Sequence, residues 1–273
     1  MARATERLDG RTQSIIKGKM SKGILFYAFN NELTDYEKIA RWNAKRVKKY
    51  LGLPSTIITN RDADPISGGR RKMHPGTDED KVTWYNAARY NAWKDSPYDE
   101  TIILDVDYIV NSDQLLQLFE LNKDFAVHQS VYDVTARNDF YYHQTFGRVK
   151  FPHAWATVCY FNRSIEAEQI FKFVKMIKQN YSFYADLYKF PKAPFRNDFA
   201  FSIALMAWAG HIISDRFRIP WPMFMSTTNV DVAVQDNVID LKYEKRNKPM
   251  RMKIQDQDLH VLNKQTLVAL VGT

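Results

Sequence analysis

The stretch TIILDVDYIVNSDQL, residues 101 to 115, runs four apolar or β-branched residues straight into Asp105-Val106-Asp107, and apolar character resumes at Tyr108, Ile109 and Val110. A buried strand that ends in two carboxylates one residue apart needs compensation. Left bare beside a core, such charges cost several kcal/mol through desolvation and mutual repulsion. Something positive is therefore expected at that strand end.

Upstream, GILFYAF from Gly23 reads as a buried strand that Asn30-Asn31 breaks. Thr34 with Glu37 has the form of a capping box, and Tyr36, Ile39, Ala40, Val47, Tyr50 and Leu51 follow at helical spacing until Gly52 and Pro54. STIIT is a second strand, so the chain opens β-α-β, the pattern of a parallel sheet with a right-handed crossover. Residues 60 to 80 form a long loop rich in Gly, Pro and charge. The reading continues with a helix from Lys81 to Trp93, the strand TIIL, a short helix from Ser112 to Leu121, and the strand FAVHQS. An irregular aromatic segment, 131 to 153, precedes the strand ATVCYFN and a helix from Ser164 to Gln179. Asn197 is expected to cap a helix from Asp198 to Ala209, and the last third, punctuated by Pro220, Pro222 and Pro249, reads as irregular. The fold class is α/β: a mixed, mainly parallel sheet flanked by helices. Residues 1–22 read as a flexible basic arm and 23–273 as one domain.

Composition narrows the setting. Of the 273 residues, 45% are hydrophobic and 14% aromatic, which excludes a disordered chain, and no apolar run approaches a membrane span. The N-terminal stretch lacks an apolar centre, so no signal peptide is expected. A single cysteine, Cys159, leaves no internal disulfide or cysteine-based zinc site and implies a reducing, cytoplasmic location. The net charge of +8 suits an anionic partner: nucleic acid, anionic lipid or a phosphorylated substrate.

In an open parallel sheet, ligands gather beyond the carboxyl ends of the strands, where Asp105 and Asp107 fall. Hard oxygen donors at this spacing suit Mg²⁺ or Mn²⁺, which take further ligands from water and substrate phosphates. The plainer alternative is that one carboxylate caps the turn while the other pairs with an arginine.

SPYDETIILDVDYIVNSDQL resembles the central signature of GT-A glycosyltransferases, in which a Tyr-Asp turn and an apolar strand deliver an Asp-x-Asp motif. Other segments agree in order: Trp84-Tyr85 with Arg89-Tyr90 before it, then ATVCYFN, RNDFAFSIAL and the late DLHVLNK. The resemblance spans roughly residues 23 to 267 and implies a nucleotide-sugar-binding half, 23–130, and an acceptor half, 131–273. It implies that Asp105, Asp107 and His260 ligate Mn²⁺ or Mg²⁺, with the imidazole favouring manganese. The implied donor is a nucleotide-sugar, most often a UDP-sugar, with Phe29, Asn30, Asn60, Arg61, Arg89, Asp105 and Lys264 as candidate contacts. Many members read His-x-x-Gly-x-Lys at the late motif; here His260-Val261-Leu262-Asn263-Lys264 lacks the glycine, which alters the diphosphate-wrapping loop and leaves Lys264 as a point charge.

Asn197 and Asp198 are the catalytic candidates. By the resemblance an acid here contacts donor-sugar hydroxyls or the acceptor, and as a general base Asp198 would take the acceptor's proton in an inverting reaction. The alternative for the pair is a cap and a first-turn acid. Phe140-Tyr141-Tyr142-His143, and His153 beside Trp155, are candidates for stacking on a base or sugar. A basic transferase suits DNA with a hydroxymethylated base, as in phage DNA modification, while a polysaccharide or protein acceptor stays open. Two further classes compete. One is a haloacid dehalogenase-type phosphohydrolase with Asp105 as nucleophile and Asp107 as acid/base, though that motif normally opens its domain, whereas here roughly eighty residues precede it. The other is a nucleic-acid-binding module, which leaves the strand-end carboxylates unexplained.

Overall fold

The computed structural model describes residues 20–59, 69–72, 81–84, 88–137, 145–148, 150–190, 192 and 195–272. The apolar run at the start forms β1 (Lys22–Ala28), whose alternate side chains enter two clusters. Ile24, Phe26 and Ala28 enter one, and Leu25 enters the other. The strand TIIL, extended to β3 (Glu100–Leu104), does the same, with Ile102 and Leu104 on one face and Ile103 on the other. Strands buried on both faces have no polar side to show, hence their unbroken apolar runs.

Between them lie α1 (Tyr36–Leu51) and β2 (Ser55–Thr59). The N-cap of α1 is Asp35 rather than the expected Thr34: its carboxylate accepts from Lys38 N, while the Thr34 N–H is taken by Asn31 Oδ1. Gly52, at φ 68°, ends the helix in the left-handed conformation that glycine adopts without a Cβ clash.

The main sheet has the order β2-β1-β3-β7-β5, with β5 (Phe125–His128) and β7 (Trp155–Asn162). β2, β1 and β3 are parallel, and β7 runs antiparallel between β3 and β5, so four of the five strands point the same way. One face carries α1 and α5 (Lys264–Gly272); the other carries α2 (Ile165–Gln179), α3 (Tyr181–Tyr188) and α4 (Asn197–Trp208). On that second face Phe125 stacks on Phe201 at 5.8 Å and meets the edge of Phe171 at 5.7 Å.

A smaller sheet joins distant segments: β4 (Tyr108–Ile109), β12 (Leu259–Val261), β8 (Met223–Ser226) and β6 (Val131–Asp133), in that order. β4 pairs antiparallel with β12, so the chain just after Asp107 lies against the strand of His260.

Several local expectations are corrected. Lys81–Trp84 is a strand paired with Gly69–Lys72, and the helical part begins at Ala88 as one 3-10 turn followed by Ala92–Asp95. The β-branched and aromatic content of Val82-Thr83-Trp84 accounts for this. The helix after Ser112 is the 3-10 segment Gln114–Glu120. Asn197 is the first residue of α4 and not its cap; Arg196, extended at φ −127° and ψ 126°, holds the cap position. The last third is not irregular: β9 (Asp231–Gln235), β10 (Val238–Lys245) and β11 (Lys248–Gln255) form an antiparallel sheet. Among the described residues no helix is long and apolar enough to cross a membrane.

Candidate metal and nucleotide site

The parallel register Phe26↔Leu104 brings the carboxyl ends of β1 and β3 to one sheet edge. Asp105 leaves β3 there, its N–H donating to Thr157 O at 2.9 Å. Its carbonyl accepts from Tyr108 N at 3.1 Å, closing a turn with Val106 and Asp107 at its centre. The Asp107 carbonyl accepts from Val261 N at 2.9 Å, which fixes the turn to β12. His260 is thereby carried beside the acids, with Nε2 3.4 Å from Asp107 Oδ2. One ligand atom each from Asp105, Asp107 and His260 lie within 4.8 Å of one another.

Two cations, Arg89 buried and Lys264 largely so, complete the charge balance. Lys264 Nζ, at the start of α5, pairs with Asp107 Oδ2 and donates to Val261 O at 3.2 Å. Arg89 pairs with Asp105 Oδ1 and donates to Ala156 O. So the plainer reading of Asp105, an arginine partner, holds, and it coexists with a three-donor cluster. Burial lowers the pKa of both cations, that of Lys264 to about 7. Burial also pushes His260 down to about 4, so at neutral pH its imidazole is uncharged, the form that ligates metals. Its Nδ1 is buried without a hydrogen-bond partner among the described residues. Two carboxylates with a neutral imidazole fit Mn²⁺ or Mg²⁺ by donor chemistry, manganese tolerating the nitrogen better.

Asp198 joins the same region through β7. The pairing of β7 with β5 shifts register between Trp155 and Cys159, and the Ala156 backbone in that irregularity serves the site from both sides. Its carbonyl takes Arg89, and its N–H donates to Asp198 Oδ1 at 2.9 Å. Asp198 Oδ2 accepts from Arg196 Nη2 at 2.9 Å. Burial pushes the Asp198 carboxyl up, but Arg196, His153 and the Ala156 N–H together hold it below its ordinary value. Asp198 is thus an anion in the first turn of α4, where the helix dipole favours negative charge.

Of the remaining candidates, Asn197 is buried at the start of α4 and Phe29 is buried beyond the end of β1. Asn30 Oδ1 accepts from Glu37 N at 2.9 Å, so it is engaged with the first turn of α1. Asn60, Arg61 and the aromatic run 140–143 lie outside the described residues. His153 is buried, its ring 4.7 Å from Trp155 and 5.7 Å from Phe199. Arg196, next to the acid it neutralises, was missed in the sequence; its adjacency to Asn197-Asp198 was the available signal.

No protein-family model matches the chain, and no curated protein does. Solved structures show partial likeness. The glycosyltransferase GlyE of Streptococcus pneumoniae TIGR4 is 15% identical with a TM-score of 0.41, over 73% of this chain and 45% of GlyE. The galactosyltransferase LgtC, solved in complex with donor and acceptor sugar analogues, is 14% identical with a TM-score of 0.39, over 67% of this chain and 70% of LgtC. A glycosyltransferase involved in glycosylation of the major capsid of PBCV-1 is 16% identical with a TM-score of 0.31, over 64% of this chain and 80% of that one. This chain spans less than half the length of GlyE.

Proposed function

We propose that the chain is a metal-dependent glycosyltransferase of the GT-A type, moving a sugar from a nucleoside diphosphate sugar, a UDP-sugar, to an acceptor hydroxyl. The observation that carries this reading is the convergence of Asp105, Asp107 and His260, with Lys264 beside them, at the carboxyl edge of the parallel strands. The first acid pair comes from the donor half, 23–130, and His260 and Lys264 return from 131–273 to complete the site.

Asp105, Asp107 and His260 would hold Mn²⁺ or Mg²⁺, which supplies Lewis-acid neutralisation of the leaving diphosphate. Arg89 keeps Asp105 oriented. Lys264 is placed to exchange its carboxylate partner for a phosphate oxygen. Asp198, held as a carboxylate by Arg196 and the Ala156 N–H, accepts a hydrogen bond from a sugar or acceptor hydroxyl and so orients it. Its lowered pKa makes it a better orienting acceptor than general base. The pairing of Asp105 with Arg89 also disfavours the phosphohydrolase alternative, which needs that carboxylate free as a nucleophile.

The test is thermal. UDP with Mn²⁺ is expected to raise Tm by mass action, and the shift is expected to vanish in Asp107→Asn. If no nucleoside diphosphate raises Tm with Mn²⁺ present, the transferase reading falls.

For the acceptor we propose a hydroxymethylated base in DNA, supported by the net charge of +8 and by Lys245, Arg246 and Lys248 at the β10–β11 turn. Duplex binding should then weaken steeply with salt, as it does when phosphates are neutralised. A flat response points instead to a polysaccharide or protein acceptor.

A further inference from the structure

The segment following Asp107 makes only a two-residue ladder with β12, yet it must hold the acids in place against His260. Side chains from two other elements grip it. Asp258, buried two residues before His260, accepts on Oδ1 from Asn111 N at 2.7 Å, Ser112 N at 2.8 Å and Ser112 Oγ at 3.0 Å. Its Oδ2 accepts from Tyr108 Oη at 3.3 Å. Four donors from residues 108–112 thus converge on one carboxylate.

From the other side, α1 presents Asn43 and Arg46 on its inner stripe, where Ile39, Ala40 and Val47 are apolar. Asn43 Oδ1 accepts from Val110 N at 3.2 Å, and its Nδ2 donates to Tyr108 O. Arg46 Nε donates to Val110 O at 2.8 Å, and Nη2 donates to Asn111 Oδ1 and to Asp236 O. Burying an amide and a guanidinium on a helix face that leucine could fill costs stability, and Asn43 spends both its bonds, and Arg46 two of its bonds, on the stretch after Asp107.

We infer that Asp258, Asn43 and Arg46 are positioning residues for the metal donors. They fix where the Asp105–Asp107 turn stands relative to His260 without touching a ligand. The inference rests on the proposed metal site. Asp258 immediately precedes the His260 strand and holds the segment that follows the acids, so it ties the two halves of the donor set. Groups that orient metal ligands in this way are worth about 10–100-fold in metal affinity.

The experiment measures Mn²⁺ affinity directly, by calorimetry and by the electron paramagnetic resonance signal of free Mn²⁺, well below each variant's Tm. Asp258→Ala and Asn43→Leu are expected to weaken Mn²⁺ binding at least about tenfold. Asp258→Asn keeps an oxygen for the two backbone N–H groups and an amide facing Tyr108 Oη, so it is expected to stay within about threefold of wild type, rescuing what Asp258→Ala loses. Leu205→Ala, in the core on the opposite sheet face, controls for stability alone: Tm falls and Mn²⁺ affinity stays. If Asp258→Ala does not fold, Asn43→Leu carries the test. Wild-type affinity in a folded Asp258→Ala or in Asn43→Leu, with Tm lowered, overturns the positioning role while leaving the metal site intact. Absence of Mn²⁺ binding in the wild type overturns the metal site itself, and the positioning role with it.

Discussion

Lys264 Nζ is paired with Asp107 Oδ2, the same oxygen that lies 3.4 Å from His260 Nε2. A side-chain cation and an incoming divalent ion therefore compete for one carboxylate. Lys264→Met is expected to bind Mn²⁺ more tightly in the absence of nucleotide, by about tenfold if about 1.4 kcal/mol of competition is removed. With UDP present the sign should reverse for the nucleotide, whose diphosphate loses a cationic partner. Titration calorimetry with Mn²⁺ alone and then with UDP reads both effects. Weaker Mn²⁺ binding by the variant in the absence of UDP would refute the competition.

Arg89 is the second cation, and its loss leaves the Asp105 carboxylate without its ion pair and the Ala156 carbonyl with only the weak Cys159 Sγ donor. Breaking a buried pair by removing one partner costs about 3–5 kcal/mol. The lower end applies, since the Asp105 side chain is 29% exposed and water screens it in part. Arg89→Leu is thus expected to lower Tm by roughly 6–12 °C. Mn²⁺ should restore more of that loss than it adds to the wild type, because it supplies the charge Asp105 has lost. Equal Mn²⁺ shifts in the two proteins would argue against a shared site.

What could be read from the sequence follows from what each segment buries. β1 and β3 were legible because both faces are covered, and the acids at the end of β3 were legible because charge is costly there. The partners of those acids were not legible: Arg89 lies on a short helical turn with no periodicity of its own, and only the folded chain shows that it is buried. Asn43 and Arg46 look like members of a polar helix face, because hydropathy does not distinguish a solvated amide from one bonded to buried backbone. The sheet of β9 to β11 escaped because only Ile239, Leu241 and Ile254 among the β10 and β11 residues are buried, while Lys242, Arg251 and Lys253 face solvent and leave little apolar alternation to read. On the edge strand β11, Arg251 and Lys253, with Pro249, discourage pairing with another chain.

The turn of that sheet carries a local mismatch. Lys245 pairs with Lys248, so Arg246 and Asn247 form a two-residue loop, and both have positive φ, 53° and 58°. Two positive φ values mark a type I′ turn, for which Asn-Gly is the favoured pair, and an arginine there is strained. The double change Arg246→Asn with Asn247→Gly is expected to stabilise the protein by about 0.5–1 kcal/mol, read as a higher urea midpoint at unchanged m. A lower midpoint would mean the loop is not a type I′ turn.

His128 predicts how stability depends on pH. It is buried at the end of β5, and Nδ1 bonds Trp221 O at 3.1 Å, so the hydrogen belongs on Nδ1, since a carbonyl can only accept. Nε2 has no partner among the described residues. Burial lowers its pKa from 6.5 to about 3. The sign follows from proton binding. Above pH 6.5 the ring is neutral in both folded and unfolded chains and costs nothing; as pH falls, the unfolded chain takes up a proton that the folded chain refuses, so stability drops until about pH 3. The slope approaches about 1.4 kcal/mol per pH unit for this one group, and the loss integrates to about 1.6 kcal/mol between pH 6.5 and 5. His260, also depressed by burial, adds to the wild-type loss, so the measurement is a difference between proteins. His128→Asn keeps an N–H for Trp221 O and cannot titrate. It should be less stable than wild type at pH 7.5, through lost packing, and the gap should close or reverse as pH approaches 5, as followed by urea unfolding at each pH. A gap that stays constant over that range would mean that His128 is not held neutral in the folded chain.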